Sequence, residues 1–319
     1  MKWLAPMKNR DYLRQNRGVL RKNSLVLLLF LGVLVNTKLY GQIQIESSYM
    51  LPSNYRDDSN TKTGGKGDFK DTRLGLQIPV YMKLNELEQP TAWAIAAQGQ
   101  YAAMNNTGMT DDLCIGQLLN VELGVMHMRP LSPKWSLFAS LGGGVYTDLS
   151  AFSGNSILAQ AGTLFIRRMC PNMDLGVGVA LNNVLGYPML FPSLYFDWKT
   201  GSKFELKISL YENGLLSVGY KFNDIIRLRF LTQAKGMVAM VRRNNKTMMF
   251  SQQFVVIGLQ PEIYVNKLFS IPITVGASVR RETYFQERTL VSFFHVEENY
   301  PSFAPAAYIS AGLKFFFDE

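Results

Sequence analysis

The sequence predicts an all-β chain: a transmembrane antiparallel β-barrel of fourteen strands, with twelve as the alternative count. Three observations predict it. Period-2 alternation runs through residues 42–319, turn segments alternate short and long, and charged side chains fall opposite the aliphatic ones. No stretch reaches the ~18–20 uninterrupted apolar residues that a spanning helix needs. The longest apolar run, 25–35, has eleven residues including Gly32. With 47% hydrophobic and 18% charged residues in 319, the chain is too apolar for a disordered polymer.

The first element is a leader. Residues 1–41 carry Lys2, Lys8, Arg10, Arg14, Arg17, Arg21, Lys22 and Lys38 against Asp11, a net +7 of the chain's +9. The folded part is therefore left with about +2, whereas a nucleic-acid binder would spread its basic residues over the folded domain. A basic segment, an apolar run and then Leu39-Tyr40-Gly41 before Gln42 read as a secretory signal peptide over 1–41. An uncleaved amino-terminal anchor is the alternative. No cysteine lies near the cut, so lipid anchoring is not expected. The remaining 42–319 is expected to form one outer-membrane barrel.

The expected strands are 42–50, 71–83, 91–103, 115–128, 135–147, 156–168, 173–182, 190–198, 203–210, 215–222, 225–235, 247–265, 271–284 and 305–317. Within 173–182, Leu175, Val177, Val179 and Leu181 alternate with Asp174, Gly176, Gly178, Ala180 and Asn182. Within 203–210, Phe204, Leu206, Ile208 and Leu210 alternate with Lys203, Glu205, Lys207 and Ser209. The runs 215–222, 225–235 and 305–317 repeat the pattern. Twelve strands result if 42–50 is a terminal extension and one weak pair near 190–210 is discounted.

Turn-forming residues separate these runs. The short links are 85–90, 129–134, 169–172, 199–202, 223–224 and 266–270; the long ones are 52–70, 105–113, 148–155, 182–189, 236–246 and 286–304. Only 211–214 is short where a long link is due. Tight turns on one side and longer loops on the other are the pattern of an outer-membrane barrel.

Side-chain sorting supports lipid, and not a second sheet, on the apolar face. A Lys or Arg facing lipid at mid-bilayer costs about 2–4 kcal/mol, and Glu122, Lys203, Glu205, Lys207, Lys221, Arg227, Arg229, Arg280 and Lys314 all fall opposite the aliphatic set. With short turns in the periplasm, Trp93, Trp135 and Phe204 begin upward strands, while Trp198, Phe222, Phe315 and Phe317 end downward ones. All seven meet one membrane boundary, where amphipathic rings are favoured. The last strand carries Ser310-x-Gly312-x-x-Phe315-x-Phe317, which resembles the carboxy-terminal signal read by the barrel-assembly machinery.

Lys134-Trp135-Ser136-Leu137, Gly142-Gly143-Gly144-Val145, Gly176-x-Gly178, Phe191-Pro192-x-Leu194 and Asp197-Trp198 give 134–224 a further likeness. This stretch resembles a family of Gram-negative outer-membrane β-barrels known only as a domain of unknown function. The resemblance implies the architecture and no chemistry.

Catalytic signals are sparse. His127 is expected at the periplasmic rim and His295 in a loop at the opposite end, about 25 Å away, so they cannot share a metal or a triad. His295 with Glu297 or Glu298 is the sole enzyme candidate, weighed against an ordinary solvated loop histidine. Gly142-Gly143-Gly144 sits within a strand with no helix following, so it reads as close packing and not as a phosphate loop. Cys114 and Cys170 fall at opposite ends of the barrel, too far apart for a disulfide. No metal and no cofactor is expected.

The lumen carries the only functional constellation: Arg73, Gln77, Lys83, Gln98, Gln100, Asn120, Glu122, Lys207, Lys221, Arg227, Arg229 and Arg280. Its basic excess suits a passage for anionic solutes. The alternative is a plugged barrel whose interior charges pair across strands. The leading functional expectation is a non-enzymatic barrel for transport, small-ligand binding or a structural accessory role. The rivals are an outer-membrane lipase or protease, and an accessory subunit of a secretion machine. Expected partners are outer-membrane lipid and lipopolysaccharide, the assembly machinery during biogenesis, and a larger membrane complex as an alternative; no nucleic acid is expected.

Overall fold

The computed structural model describes residues 41–109, 115–150, 152, 154–182, 189–200, 203–211, 214–243, 246–287 and 300–317. Fourteen strands form the wall: β1 Gly41–Arg56, β2 Lys62–Leu84, β3 Pro90–Ala103, β4 Gln117–Pro130, β5 Trp135–Thr147, β6 Ile157–Cys170 and β7 Met173–Asn182. They continue as β8 Met189–Lys199, β9 Phe204–Ser209, β10 Gly214–Lys221, β11 Ile226–Arg243, β12 Lys246–Tyr264, β13 Phe269–Glu287 and β14 Ala306–Phe317. Each wall strand pairs antiparallel with the next, and β1 pairs with both β2 and β14. The sheet therefore closes on itself and leaves no wall strand at an edge along its full length. Two-residue strands at Asn106–Thr107 and Ser302–Phe303 dock on the upper wall.

The closing register is Gly41 opposite Phe317 through Met50 opposite Tyr308. Alternation then fixes the faces. Leu123, Leu141, Val177, Val218, Val275 and Leu313 point outward and stay exposed; a soluble fold would bury such a belt. Among the described residues no helix is long and apolar enough to cross a membrane. The chain is a transmembrane β-barrel, and its wall crosses by strands.

Two expected loops are strand instead. The expected links 52–70 and 236–246 are largely strand, because β1, β2, β11 and β12 extend beyond the wall's mean height. Alternation fails as a signal there for a physical reason: Met237, Val238, Ala239, Met240 and Val241 are buried on both faces. A register shift between Met50 and Ser53 breaks the period in β1 as well.

The buried apolar core lies inside the ring, at its long-loop end. Met50, Phe69, Leu118, Met237, Phe250 and Phe254 belong to one cluster. It exists because β11 and β12 do not continue straight. Above Gly236 their hairpin crosses the lumen and packs against β4 and β5, and Met240 bridges parallel to Thr147 on the far wall. With its amide oriented as its surroundings require, Asn120 donates to the Val238 carbonyl at 2.8 Å.

Candidate functional site: a layered lumen

Three layers fill the lumen. The lowest, near the short turns, is an ion-pair network on the inner faces of β8–β14. Glu262 is 1% exposed. It accepts from Arg229 Nη1 at 2.6 Å, Lys314 Nζ at 3.0 Å, Ser270 Oγ at 3.0 Å and Tyr264 Oη at 3.1 Å. Glu205 takes Arg229 Nε at 2.7 Å and lies 3.5 Å from Arg227. Lys207 stands opposite Asp197 across the β8–β9 pair and over the Tyr195 ring. Burial without these partners would be prohibitive, so the carboxylates and cations are mutually required.

The middle layer is a chamber of about 260 Å³. Gln44, Gln77, Gln98, Gln100, Glu122 and Gln160 contribute to its wall, with Arg73 and Tyr146. Its charges are matched locally. Arg73 Nε donates to Asp71 at 3.0 Å, Gln100 donates to the same carboxylate at 2.9 Å, and Ser48 bonds its other oxygen. Glu122 accepts from Gln160 at 3.0 Å. Lys235, buried on the inserted hairpin, crosses to Glu46 of β1 at 3.2 Å. The third layer is the apolar core above.

Tyr211 intrudes on this lumen. It lies just past the end of β9, yet its hydroxyl bonds Ser140 of β5 and its ring meets Phe138 edge-on, with centroids 5.4 Å apart. Gly162 makes this approach feasible, since a Cβ there would run into the tyrosine ring.

The expected lumen residues divide as follows. Arg73, Gln98, Gln100 and Glu122 line the chamber. Lys207, Arg227 and Arg229 belong to the ionic layer. Lys221 sits exposed at the short-turn rim, 2.6 Å from Asp224. Hydrogen bonding from Lys221 holds the exposed Asp224 carboxyl below its usual range. Arg280 is a correction: it is 68% exposed and pairs with Glu282, outside the lumen. A bulge between Ser278 and Arg280 reverses the parity of β13, so Arg281 turns inward and is buried. Lys83 is turned outward in the same way by the shift between Pro79 and Tyr81.

At the short-turn end, Trp93, Trp135, Trp198, Phe204 and Phe222 are exposed on the outer face. Phe315 packs on Phe269 and Phe317, each pair with centroids 4.6 Å apart. His127 stacks on Trp93 with centroids 4.1 Å apart, and its Nδ1 is 3.0 Å from the Ala92 carbonyl. Ser310 is buried on the inner face, and Gly312 stands opposite Glu46. Cys170 is an exposed free thiol; Cys114, His295, Glu297, Glu298 and the leader 1–40 lie outside the described residues. Gly142 and Gly144 sit within β5, where a Cβ would come 2.7 and 2.6 Å from carbonyls of β4. Their role is close strand packing. Among the described residues no group of three His, Cys, Asp or Glu could hold a metal.

Sequence reading missed Glu46, Asp71, Lys235, Glu262 and Tyr211. Glu262 was accessible, since Gln260 and Glu262 alternate with Leu259, Pro261 and Ile263. Lys235 fell at the end of an expected strand, and Tyr211 in a turn, where alternation says nothing.

Solved structures similar to the chain include an outer-membrane channel from Pseudomonas putida F1, at 8% identity, covering 87% of this chain and 95% of that one, TM-score 0.43. The TodX monoaromatic hydrocarbon channel is 8% identical, with 88% and 90% covered and a TM-score of 0.41. The KdgM porin, crystallised with oligogalacturonate, is 5% identical, with 85% and 98% covered and a TM-score of 0.34. No curated relative matches the chain. The family model described as a domain of unknown function, DUF6268, matches residues 37–316, and the chain belongs to that family.

Proposed function

We propose that this chain is a non-enzymatic outer-membrane barrel that holds a small, uncharged polar group in its middle chamber and passes it on when the inserted hairpin moves. The observation that carries the reading is the chamber itself: amide-rich, about 260 Å³, and capped above by the apolar core. Amides offer both donors and acceptors without charge, which suits hydroxyl-bearing groups. Of the basic residues expected to favour anions, Arg73, Arg227 and Arg229 are engaged by Asp71, Glu205 and Glu262, so an anion-selective passage loses its main support. Export through the 1–41 leader belongs to this reading.

The test is conductance in planar bilayers, compared between the wild-type barrel and Lys235→Ala. Lys235 latches the hairpin across the lumen to Glu46. The wild type should be nearly silent. Loss of the latch should raise the open fraction about tenfold, equivalent to ~1.4 kcal/mol, and liposomes should then admit a neutral pentose. Equal, stable steps from both proteins would overturn the hairpin as the closing element.

A further inference from the structure

The wall of the ring is uneven. Strands β9 and β10 have 6 and 8 residues, beside 11 in β8 and 18 in β11. A tilted strand needs roughly 9–11 residues to cross the hydrocarbon layer. Among the described residues the β9–β10 pair is therefore shorter than a full crossing.

Above it the described wall has a notch. The last bond joining β8 to β9 runs from Leu210 N–H to the Leu194 carbonyl, at 2.8 Å. Beyond it, β8 continues to Met189 paired with β7 alone among the described residues. On the other side, Gly214 opposite Ala234 is the last pair between β10 and β11. Past Ala234 the strand leaves the wall for the lumen.

Pro192 marks the notch edge. Leu194 turns its backbone toward β9, so Pro192, two residues on, turns the same way and presents no N–H. An unpaired edge in hydrocarbon is costly, and the proline removes one donor where no described strand pairs. Leu190 is 68% exposed beside it, and Leu210 and Ala234 are exposed across the gap. Tyr211 at the sill and Gly236, Met237 and Val238 at the far side also line the chamber. Among the described residues the notch thus borders both the lipid side of the wall and the chamber, while the axial route above is packed.

We propose that the notch is a lateral window, through which a single-chain amphiphile with an uncharged polar head enters from the outer leaflet. Its tail lies between Leu190 and Ala234, and its head reaches the amides of Gln44 and Gln98. The head-group assignment rests on the chamber reading above; the window does not.

The experiment uses the full barrel in nanodiscs of phosphatidylethanolamine and phosphatidylglycerol, with a monoacylglycerol carrying a diazirine in its tail. After irradiation, adducts are mapped by peptide mass spectrometry. Label is expected on Tyr211 as well as on the outer belt at Leu141. Ala234→Trp should cut the Tyr211 adduct several-fold and leave the Leu141 adduct unchanged. Heat-shifted mobility on electrophoresis verifies that the variant is folded. Label at Leu141 with none at Tyr211 in the wild type would overturn the window. Equal labelling of Tyr211 by a headless diazirine alkane would leave the window standing and overturn the polar-head assignment.

Discussion

Glu262 has four partners at hydrogen-bond distance and almost no contact with solvent. Two of them, Arg229 and Lys314, are cations with no other acidic partner as deeply placed. Glu262→Gln keeps the shape and an acceptor oxygen but leaves two inward cations short of countercharge. Removing one member of a buried pair costs about 3–5 kcal/mol. Arg229 and Lys314 retain some water contact, so the expected loss is at the lower end, about 3 kcal/mol. Urea unfolding in liposomes measures it. A shift within about 0.5 kcal/mol would mean that water, and not Glu262, balances those cations.

Strand β14 does two separable jobs. Its packing is modest: Phe315 touches Phe269 and Phe317 at the membrane boundary, and such aromatic pairs contribute about 0.5–1.5 kcal/mol. Its position is more consequential, because it must meet β1 along ten residue pairs to close the ring. If Phe315 and Phe317 act as an assembly signal, Phe315→Ser with Phe317→Ser should lower the outer-membrane level several-fold, with precursor accumulating in the periplasm. Protein that does fold should lose only the small packing increment. Equal membrane levels of variant and wild type, read by immunoblot of fractions, would remove the signal role. Single strands are legible in the sequence up to a definite point. Leu175, Val177 and Val179 or Phe204, Leu206 and Ile208 face lipid while their neighbours face the lumen, so period 2 is legible. Met237 to Val241 face protein on both sides, and a uniformly apolar run carries no period. The β13 bulge moved Arg280 out and Arg281 in; one inserted residue changes parity without altering composition, so the strand was legible and its upper face was not. Lys235 and Glu46 meet although 189 residues separate them, and only the tertiary path of the hairpin brings them together.

For the molecule as a whole, the decisive asymmetry is between the two faces of one thin wall. Leu141 and Gln98 occupy wall strands two apart in the ring, yet Leu141 is 68% exposed on the outer face and Gln98 opens on the chamber. In water the two sites would accept an arginine about equally. In a bilayer they differ. An arginine at mid-depth on the lipid face costs about 2–4 kcal/mol, whereas one directed into a polar chamber costs less than about 1 kcal/mol. Leu141→Arg should therefore destabilise the barrel by the larger amount in liposomes, and Gln98→Arg by the smaller. The same pair measured in thinner bilayers should converge if Leu141 then lies nearer an interface, because the penalty falls with depth. Indistinguishable unfolding of the two variants in liposomes would place protein, and not hydrocarbon, over the apolar belt, and the barrel would have to be read as a covered soluble structure.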